Sequence, residues 1–533
     1  MDCAYFSFGV KIIFFNYLYP NINNKTTSIL MPILSSIISL INSKRIKQIE
    51  AFKKAPGQTQ KEQLDYLLKS ALKTHIGREY DFKTIKSSET FRERVPVVDY
   101  EGVRPYVERL KRGEKDLLWP GEIKWFAKSS GTTSAKSKFI PVSKDSLEEC
   151  HFRGGKDVVA LYLENRPDSE MFSGKCLVLG GSHQINSFSS DSYYGDLSAI
   201  LIENMPFWTH FVRTPGPSIA LMDEWEEKLK KMTEATIDEN VTSLAGVPSW
   251  FLVLLKNILK KTGKSNLLEV WPNLELFMHG GVNFTPYRDQ YKALIPSDSM
   301  NYMETYNASE GFFGIQDDLS SEGMLLMLDY GIFYEFMPLS ELGKEFPETY
   351  TIEEVELNKD YALIISTNGG LWRYLIGDTI RFVSLFPHKI IITGRTKHFI
   401  NAFGEELIID NAERGLKIAC DKTGAVIREY SAAPVFMSRN SKGRHQWIIE
   451  FEKLPENIDE FAKELDEALK SLNSDYEAKR YKDMTLEPLE VIVARDGLFH
   501  DWLHSKDKLG GQHKVPRLAN NREYIDELLE LNQ

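Results

Sequence analysis

The stretch Trp125-Phe-Ala-Lys-Ser-Ser-Gly-Thr-Thr-Ser-Ala-Lys-Ser-Lys-Phe-Ile-Pro141 decides the reading of this chain. Between two apolar ends it sets hydroxyls, one glycine and lysines where a loop can wrap a polyphosphate. Backbone N–H groups in a tight turn at Gly131 would form an anion nest, the hydroxyls of Ser129, Ser130, Thr132 and Thr133 would add donors, and Lys136 and Lys138 would bring mobile positive charge. The string is not the Gly-x4-Gly-Lys-Ser/Thr loop of the P-loop nucleotide hydrolases. Taken alone it also describes a solvated surface loop. The other groups that ATP chemistry requires must come from elsewhere in the chain.

Three later segments supply them: Tyr302-Met-Glu-Thr-Tyr-Asn-Ala-Ser-Glu-Gly311, Leu371-Trp-Arg-Tyr-Leu-Ile-Gly-Asp-Thr-Ile380 and Ile392-Thr-Gly-Arg-Thr-Lys-His-Phe-Ile400. A fourth, Gly510-Gly-Gln-His-Lys-Val-Pro-Arg-Leu518, stands near the C-terminus. In this order the set resembles the adenylate-forming (acyl-adenylate, firefly luciferase-like) superfamily, and most closely the GH3 acyl acid amido synthetases, from about Met31 to the end. The resemblance implies an α/β (mixed α+β) fold. A large domain over 31–395, with mixed β-sheets and antiparallel β structure flanked by helices, would bind ATP and the acyl substrate. A smaller, mobile C-terminal α/β domain over 396–533 would close over the cleft. Residues 1–30 then read as an extension upstream of a start at Met31.

Adenylation joins a carboxylate to the α-phosphate of ATP and expels pyrophosphate, so the site must hold one anion while a second approaches it. By resemblance Ser129, Ser130, Gly131, Thr132, Thr133 and Lys136 cradle phosphate oxygens, with Lys138 beside them. Ser134-Ala135 stands where the plant members have a richer glycine pair. Glu310 is the implied Mg²⁺ ligand, since a hard cation bridging phosphates takes carboxylate oxygen and keeps several waters. Tyr306, Asn307 and Ser309 would help place the nucleotide, and Asp378, after Gly377, would accept hydrogen bonds from the ribose hydroxyls. Gly280-Gly281 and Tyr302 resemble the adenine platform. Lys397 and Lys514 would cross the cleft to stabilise charge on the α-phosphate.

Each group also has an ordinary structural reading. Ser309-Glu310 and Gly377-Asp378 are common turn pairs, Tyr302 suits a core, most lysines are solvated, and Arg517 serves equally well as an ion-pair partner.

A chain of 533 residues, 42% hydrophobic and 26% charged, is long enough for more than one core. A net charge of -11 argues against a general nucleic-acid surface. The apolar run Ala4 to Pro20, interrupted by Lys11, falls short of the roughly 20 residues needed to span a bilayer. Cys3, Cys150, Cys176 and Cys420 are too sparse for a disulfide scaffold and lack metal-ligand spacing, which fits a reducing cytoplasm. The histidines show no His-Glu-x-x-His pattern, and no Gly-x-Ser-x-Gly elbow occurs.

Apolar spacing predicts helices over 34–54, 60–74, 223–232, 249–261 and 458–472, and strands over 175–180, 274–279, 363–367, 446–451 and 489–494. Met324 to Asp329 and Gly331 to Phe336 read as a hairpin turning at Tyr330-Gly331. Tyr193 to Trp208 offers an acyl-pocket lining or plain core.

The expected activity is an ATP- and Mg²⁺-dependent ligase that adenylates a carboxylic acid and passes the acyl group to an amine, by family likeness an amino acid. The alternatives are an acyl-coenzyme A ligase and a catalytically silent acyl-acid or nucleotide-binding protein. No nucleic-acid or membrane partner is expected.

Overall fold

A computed structural model describes residues 42–533 apart from 130–137, 181–184, 190, 207–208, 210–211, 223, 282–283, 285–286, 397–398, 406, 438–441, 482–485 and 506–515. The start at Met31 and the extension 1–30 lie outside the described residues.

The centre of the molecule is one long sheet, and strands such as Gly311–Ile315, Ile332–Pro338 and Asp360–Thr367 follow from apolar runs buried on both faces. In chain order the strands of the large unit are β1 (Trp125–Ser129), β2 (Lys138–Val142), β3 (Lys175–Leu179), β4 (Asn186–Ser189), β5 (Ser192–Gly195), β6 (Arg213–Thr214), β7 (Val241–Gly246), β8 (Leu276–His279), β9 (Asn301–Ala308), β10 (Gly311–Ile315), β11 (Met324–Leu326), β12 (Ile332–Pro338), β13 (Asp360–Thr367), β14 (Tyr374–Leu385) and β15 (His388–Arg395). The large sheet runs β12-β13-β14-β15-β11-β10-β9-β8-β7-β3-β6. Its β12 side is antiparallel and its β6 side parallel. They meet at β9, which pairs parallel with β8 and antiparallel with β10. A second sheet, β2-β1-β5-β4, pairs β1 with β2 so that Ser129 lies opposite Lys138, the two residues that flank the segment expected to meet polyphosphate.

Helices cover both sheets. The expected helix over 60–74 appears as α1 (Pro56–Ala71), with proline in its first turn, where the missing N–H costs nothing. Within 34–54 the described part, 42–54, is helical. A π-helical turn, Ser146–His151, runs into α2 (Phe152–Asn165). The expected 223–232 and 249–261 helices are α3 (Trp225–Thr236) and α4 (Pro248–Thr262). The latter starts on proline and stops at Gly263, whose φ of 68° is a left-handed terminator that a side chain would resist. α5 (Arg288–Leu294) follows.

After β15 come the short pair β16 (Phe399–Ile400) and β17 (Leu407–Ile408), then α6 (Ile409–Thr423), and a three-stranded sheet of β18 (Val426–Val435), β19 (Arg444–Lys453) and β20 (Glu490–Val493). α7 (Ile458–Leu472) keeps its predicted bounds: Asn457 accepts from the N–H groups of Asp459 and Glu460, and Phe461, Leu465 and Leu469 form the buried stripe. The apolar core does not stop at the junction. Phe251 and Leu252 of α4 and Phe277 of β8 belong to one cluster with Phe403, Trp447 and Leu465. Ser249 Oγ donates to Phe403 O at 3.3 Å, and Tyr287 Oη to Ala402 O at 2.5 Å.

One expectation fails. Met324 to Asp329 and Gly331 to Phe336 do not form a hairpin: β11 lies between β10 and β15, whereas β12 pairs with β13 at the sheet edge. Gly331 does turn the chain, at φ 70°. Both flanking runs are buried on both faces, so neighbours distant in sequence, rather than the turn, choose their partners. Among the described residues no helix is long and apolar enough to cross a membrane, and Cys150, Cys176 and Cys420 are free thiols.

Candidate functional site

The β9–β10 hairpin turns on two residues, Ser309 and Glu310, since Ala308 pairs with Gly311. The expected Ser-Glu turn therefore exists, but it is folded inward. Glu310 is half-buried, and burial pushes its carboxyl up to about 7; nearby Asp378 raises it further, against the pull of Lys138 and Arg395. Lys138 is itself buried at the start of β2, its ammonium 5.9 Å from the centre of the Tyr100 ring. The lysine at the start of β2 thus lies near the turn that carries Glu310.

Asp378 sits within β14, so Gly377-Asp378 is no chain-reversing turn. Gly377 takes φ 99° within an irregularity of the β13–β14 ladder, a conformation that favours glycine. Across the β14–β15 ladder Asp378 pairs with Arg395, whose Nε donates to Oδ1 at 2.7 Å, while the Tyr306 hydroxyl donates to Oδ2. Burial and the adjacent carboxylate hold Tyr306 far above the usual phenol range, so it is a neutral donor. Tyr306, Glu310, Asp378, Arg395 and Lys138 form one cluster. Arg395, read only as the domain boundary, is the ion-pair partner that the sequence reading missed; its place in the quoted Ile392–Ile400 segment was the available signal.

Asn307 does not join this cluster. Next to Tyr306 on the strand, it points to the opposite face, where its Oδ1 lies 3.1 Å from Nδ1 of His151 at the end of the π-helical turn. Burial lowers His151 to about 4, opposed by the Asn307 bond. The same turn grips the hairpin again, since Phe312 N–H donates to Cys150 Sγ at 3.1 Å. A histidine with pKa about 4 folded and 6.5 unfolded binds its proton more tightly when unfolded. Its contribution is therefore complete above pH 6.5 and lost as pH falls toward 4, about 3 kcal/mol over the window. Denaturant titrations are expected to show this loss in the wild type and a shallower one in His151→Gln.

Gly280, at the end of β8, approaches β9 so closely that a Cβ would lie 2.3 Å from Thr305 O, and Gly281 adopts φ 82°. Tyr302 lies among aromatic rings, 5.1 Å from Phe284 and 6.2 Å from Tyr291, and burial pushes its hydroxyl up to about 12. It stands four residues before Tyr306 on β9, roughly 13 Å away at strand rise. Both the packing and the platform readings of Tyr302 fit this geometry. Tyr193 and Tyr194 pack on Trp125 and Phe188, and Ile200 belongs to the main core. Arg517 is an ion-pair residue: it contacts Glu413, lies 3.3 Å from Glu429 and sits over the Tyr430 ring. Ser129 ends β1. Ser130, Gly131, Thr132, Thr133, Lys136, Lys397 and Lys514 lie outside the described residues.

Three patterns of one family match the chain in order: the GH3 family N-terminal domain over residues 45–300, the central domain over 325–395 and the C-terminal domain over 410–523. Among curated proteins, indole-3-acetic acid-amido synthetase GH3.3 of Arabidopsis thaliana is 22% identical, across 90% of this chain and 92% of that protein. Jasmonoyl–L-amino acid synthetase GH3.5 of Oryza sativa subsp. japonica is 25% identical, across 89% and 94%. Among solved structures, GH3.15 acyl acid amido synthetase in complex with 2,4-DB superposes with a TM-score of 0.59 at 18% identity, covering 92% of this chain and 96% of that one. A 2-hydroxyisobutyryl-CoA ligase in its thioesterification state gives 0.56 at 12% identity, covering 90% and 92%. These two structures share the fold.

Proposed function

The chain belongs to the GH3 family, and from that membership and the buried cluster around Glu310 we propose that it is an ATP-dependent acyl acid amido synthetase. It adenylates a carboxylic acid and transfers the acyl group to an amine, an amino acid in the first instance. The observation that carries this reading is the meeting of Lys138, Glu310, Tyr306, Asp378 and Arg395 where the polyphosphate loop segment rejoins β2. In this reading Asp378, fixed by Tyr306 and Arg395, presents carboxylate oxygen to the ribose hydroxyls. Lys138 and Arg395 face the phosphates, and Tyr302 with Gly280-Gly281 flanks the base.

The donor set suits Mg²⁺. Among the described residues no group of three or more His, Cys, Asp or Glu side chains converges on a metal position. Mg²⁺ needs no such cage, because it keeps waters and phosphate oxygens and takes only one or two carboxylates, here Glu310. Bound there, the ion would neutralise phosphate charge as pyrophosphate departs. We place the division between the ATP- and acyl-binding domain and the mobile domain near Arg395, with Lys397 and Lys514 delivered from the C-terminal side.

The test is pyrophosphate release with ATP and Mg²⁺ against a panel of aryl and alkyl carboxylic acids, with pooled amino acids, with coenzyme A and with neither, followed by product mass spectrometry. Acid-dependent release ending in an amide supports the reading. A thioester product replaces it with the coenzyme A ligase, and no release from ATP-binding protein leaves a silent binder. Lys514→Ala is expected to slow a chemical half-reaction by on the order of a hundredfold with ATP affinity kept; single-turnover kinetics equal to wild type would remove Lys514 from that role.

A further inference from the structure

Tyr374 opens β14 and is fully buried, yet among the described residues its phenol O–H finds no hydrogen-bond partner. Several other buried tyrosines here are satisfied, although Tyr430 is not. Tyr291 donates to Pro248 O, Tyr334 to Met327 O, and Tyr330 and Tyr476 to the carboxylates of Asp157 and Asp466. A buried hydroxyl left idle costs stability and calls for a reason. The surroundings of Tyr374 supply one. After burial itself, the strongest influence on the phenol is the carboxylate of Glu310, followed by Tyr100 and Arg395, so the idle donor stands at the cluster described above. His279 Nδ1 and Tyr302 Oη are also unpartnered, but both rings pack on Phe284, at 4.1 and 5.1 Å.

We propose that Tyr374 is a positioning residue whose O–H donates to the Glu310 carboxylate when MgATP occupies the site. The inference rests on the reading of that site as an adenylation centre. In the ligand-free protein Glu310 is drawn by Lys138 and Arg395. An arriving triphosphate competes for those two cations, and Glu310 then needs a neutral donor to fix the oxygen not turned to the metal. Carboxylates that hold metals are regularly oriented by such outer hydrogen bonds, whose loss weakens metal affinity by about 10- to 100-fold. Tyr374 is the buried donor already in place.

The experiment compares wild type, Tyr374→Phe, Glu310→Gln and the double variant by thermal melting with and without MgATP, and by pyrophosphate exchange titrated with Mg²⁺. Removing only an unbonded oxygen is expected to leave the ligand-free melting temperature of Tyr374→Phe equal to wild type or higher. Its MgATP-induced melting shift should shrink and its apparent KM for Mg²⁺ rise by about tenfold, with the rate at saturating Mg²⁺ retained. In the Glu310→Gln background, Tyr374→Phe should change the MgATP-induced shift no further. A lower ligand-free melting temperature would overturn the inference by showing a hydroxyl already bonded. So would an unchanged Mg²⁺ response or an effect that persists without Glu310. A wild type that ignores MgATP removes the functional reading together with the inference, whereas a responsive wild type matched by Tyr374→Phe removes the inference alone.

Discussion

Glu310→Gln is expected to slow acid-dependent pyrophosphate exchange by on the order of a hundredfold, the usual cost of deleting one preorganised charge-stabilising group, while the melting temperature holds or rises. The two effects share one origin. Burial disfavours the charge of the Glu310 carboxyl and pushes its pKa up to about 7 in the folded protein, from the 4.5 of a free side chain. The folded state therefore holds this proton more tightly than the unfolded state. Stability is lost as pH rises from 4.5 through 7, and the full penalty is present above pH 7. Glutamine carries no charge to desolvate, so its melting temperature should exceed wild type at pH 8 and approach it near pH 5. Full exchange activity in Glu310→Gln would remove Glu310 from the metal site, and a lower melting temperature at pH 8 would contradict the burial argument.

The largest purely structural loss is expected from Arg373→Met, about 3–5 kcal/mol by denaturant titration. Arg373 belongs to the quoted Leu371–Ile380 segment but works in the core. Its Nη1 donates to Arg92 O and Val95 O, each at 2.7 Å. Its Nη2 reaches Thr349 Oγ1 at 3.0 Å and Glu335 Oε1 at 2.8 Å, and Nε also bonds the Glu335 carboxylate. Every guanidinium N–H is used, and both side chains are almost fully enclosed. Methionine fills similar space but leaves Glu335 charged and buried. The pair Arg373→Met with Glu335→Leu should recover much of the loss, because it removes both charges together. A double variant no more stable than Arg373→Met would show that backbone support at Arg92 and Val95, rather than the uncompensated carboxylate, dominates.

Sequence legibility followed the range of the interactions. Helix α7 was readable to its end residues because its cap and its buried stripe are local facts. The strands β3, β8 and β19 were readable as apolar runs, but their neighbours were not. The failed hairpin at Tyr330-Gly331 shows why: a glycine turn fixes the direction of the chain and says nothing of which distant strand offers the ladder. The site behaved likewise. Glu310 and Asp378 stood out within ordered motifs, whereas Arg395 gained meaning only through the β14–β15 register, and His151 through a π-helical turn that no spacing announced. That Asn307 faces away from Tyr306 follows from strand alternation once β9 is known to be a strand.

The junction strand β9 carries a further consequence, for the lengths that relatives of this chain can take. It is hydrogen-bonded to β8 with one polarity and to β10 with the other, so both ladders set its register. One residue inserted or deleted between Asn301 and Ala308 would turn every later side chain to the other face, sending Tyr306 toward His151 and Asn307 toward Asp378. Natural length changes should therefore be absent from β9 and should accumulate in stretches such as 343–348, which pair with no strand of the large sheet.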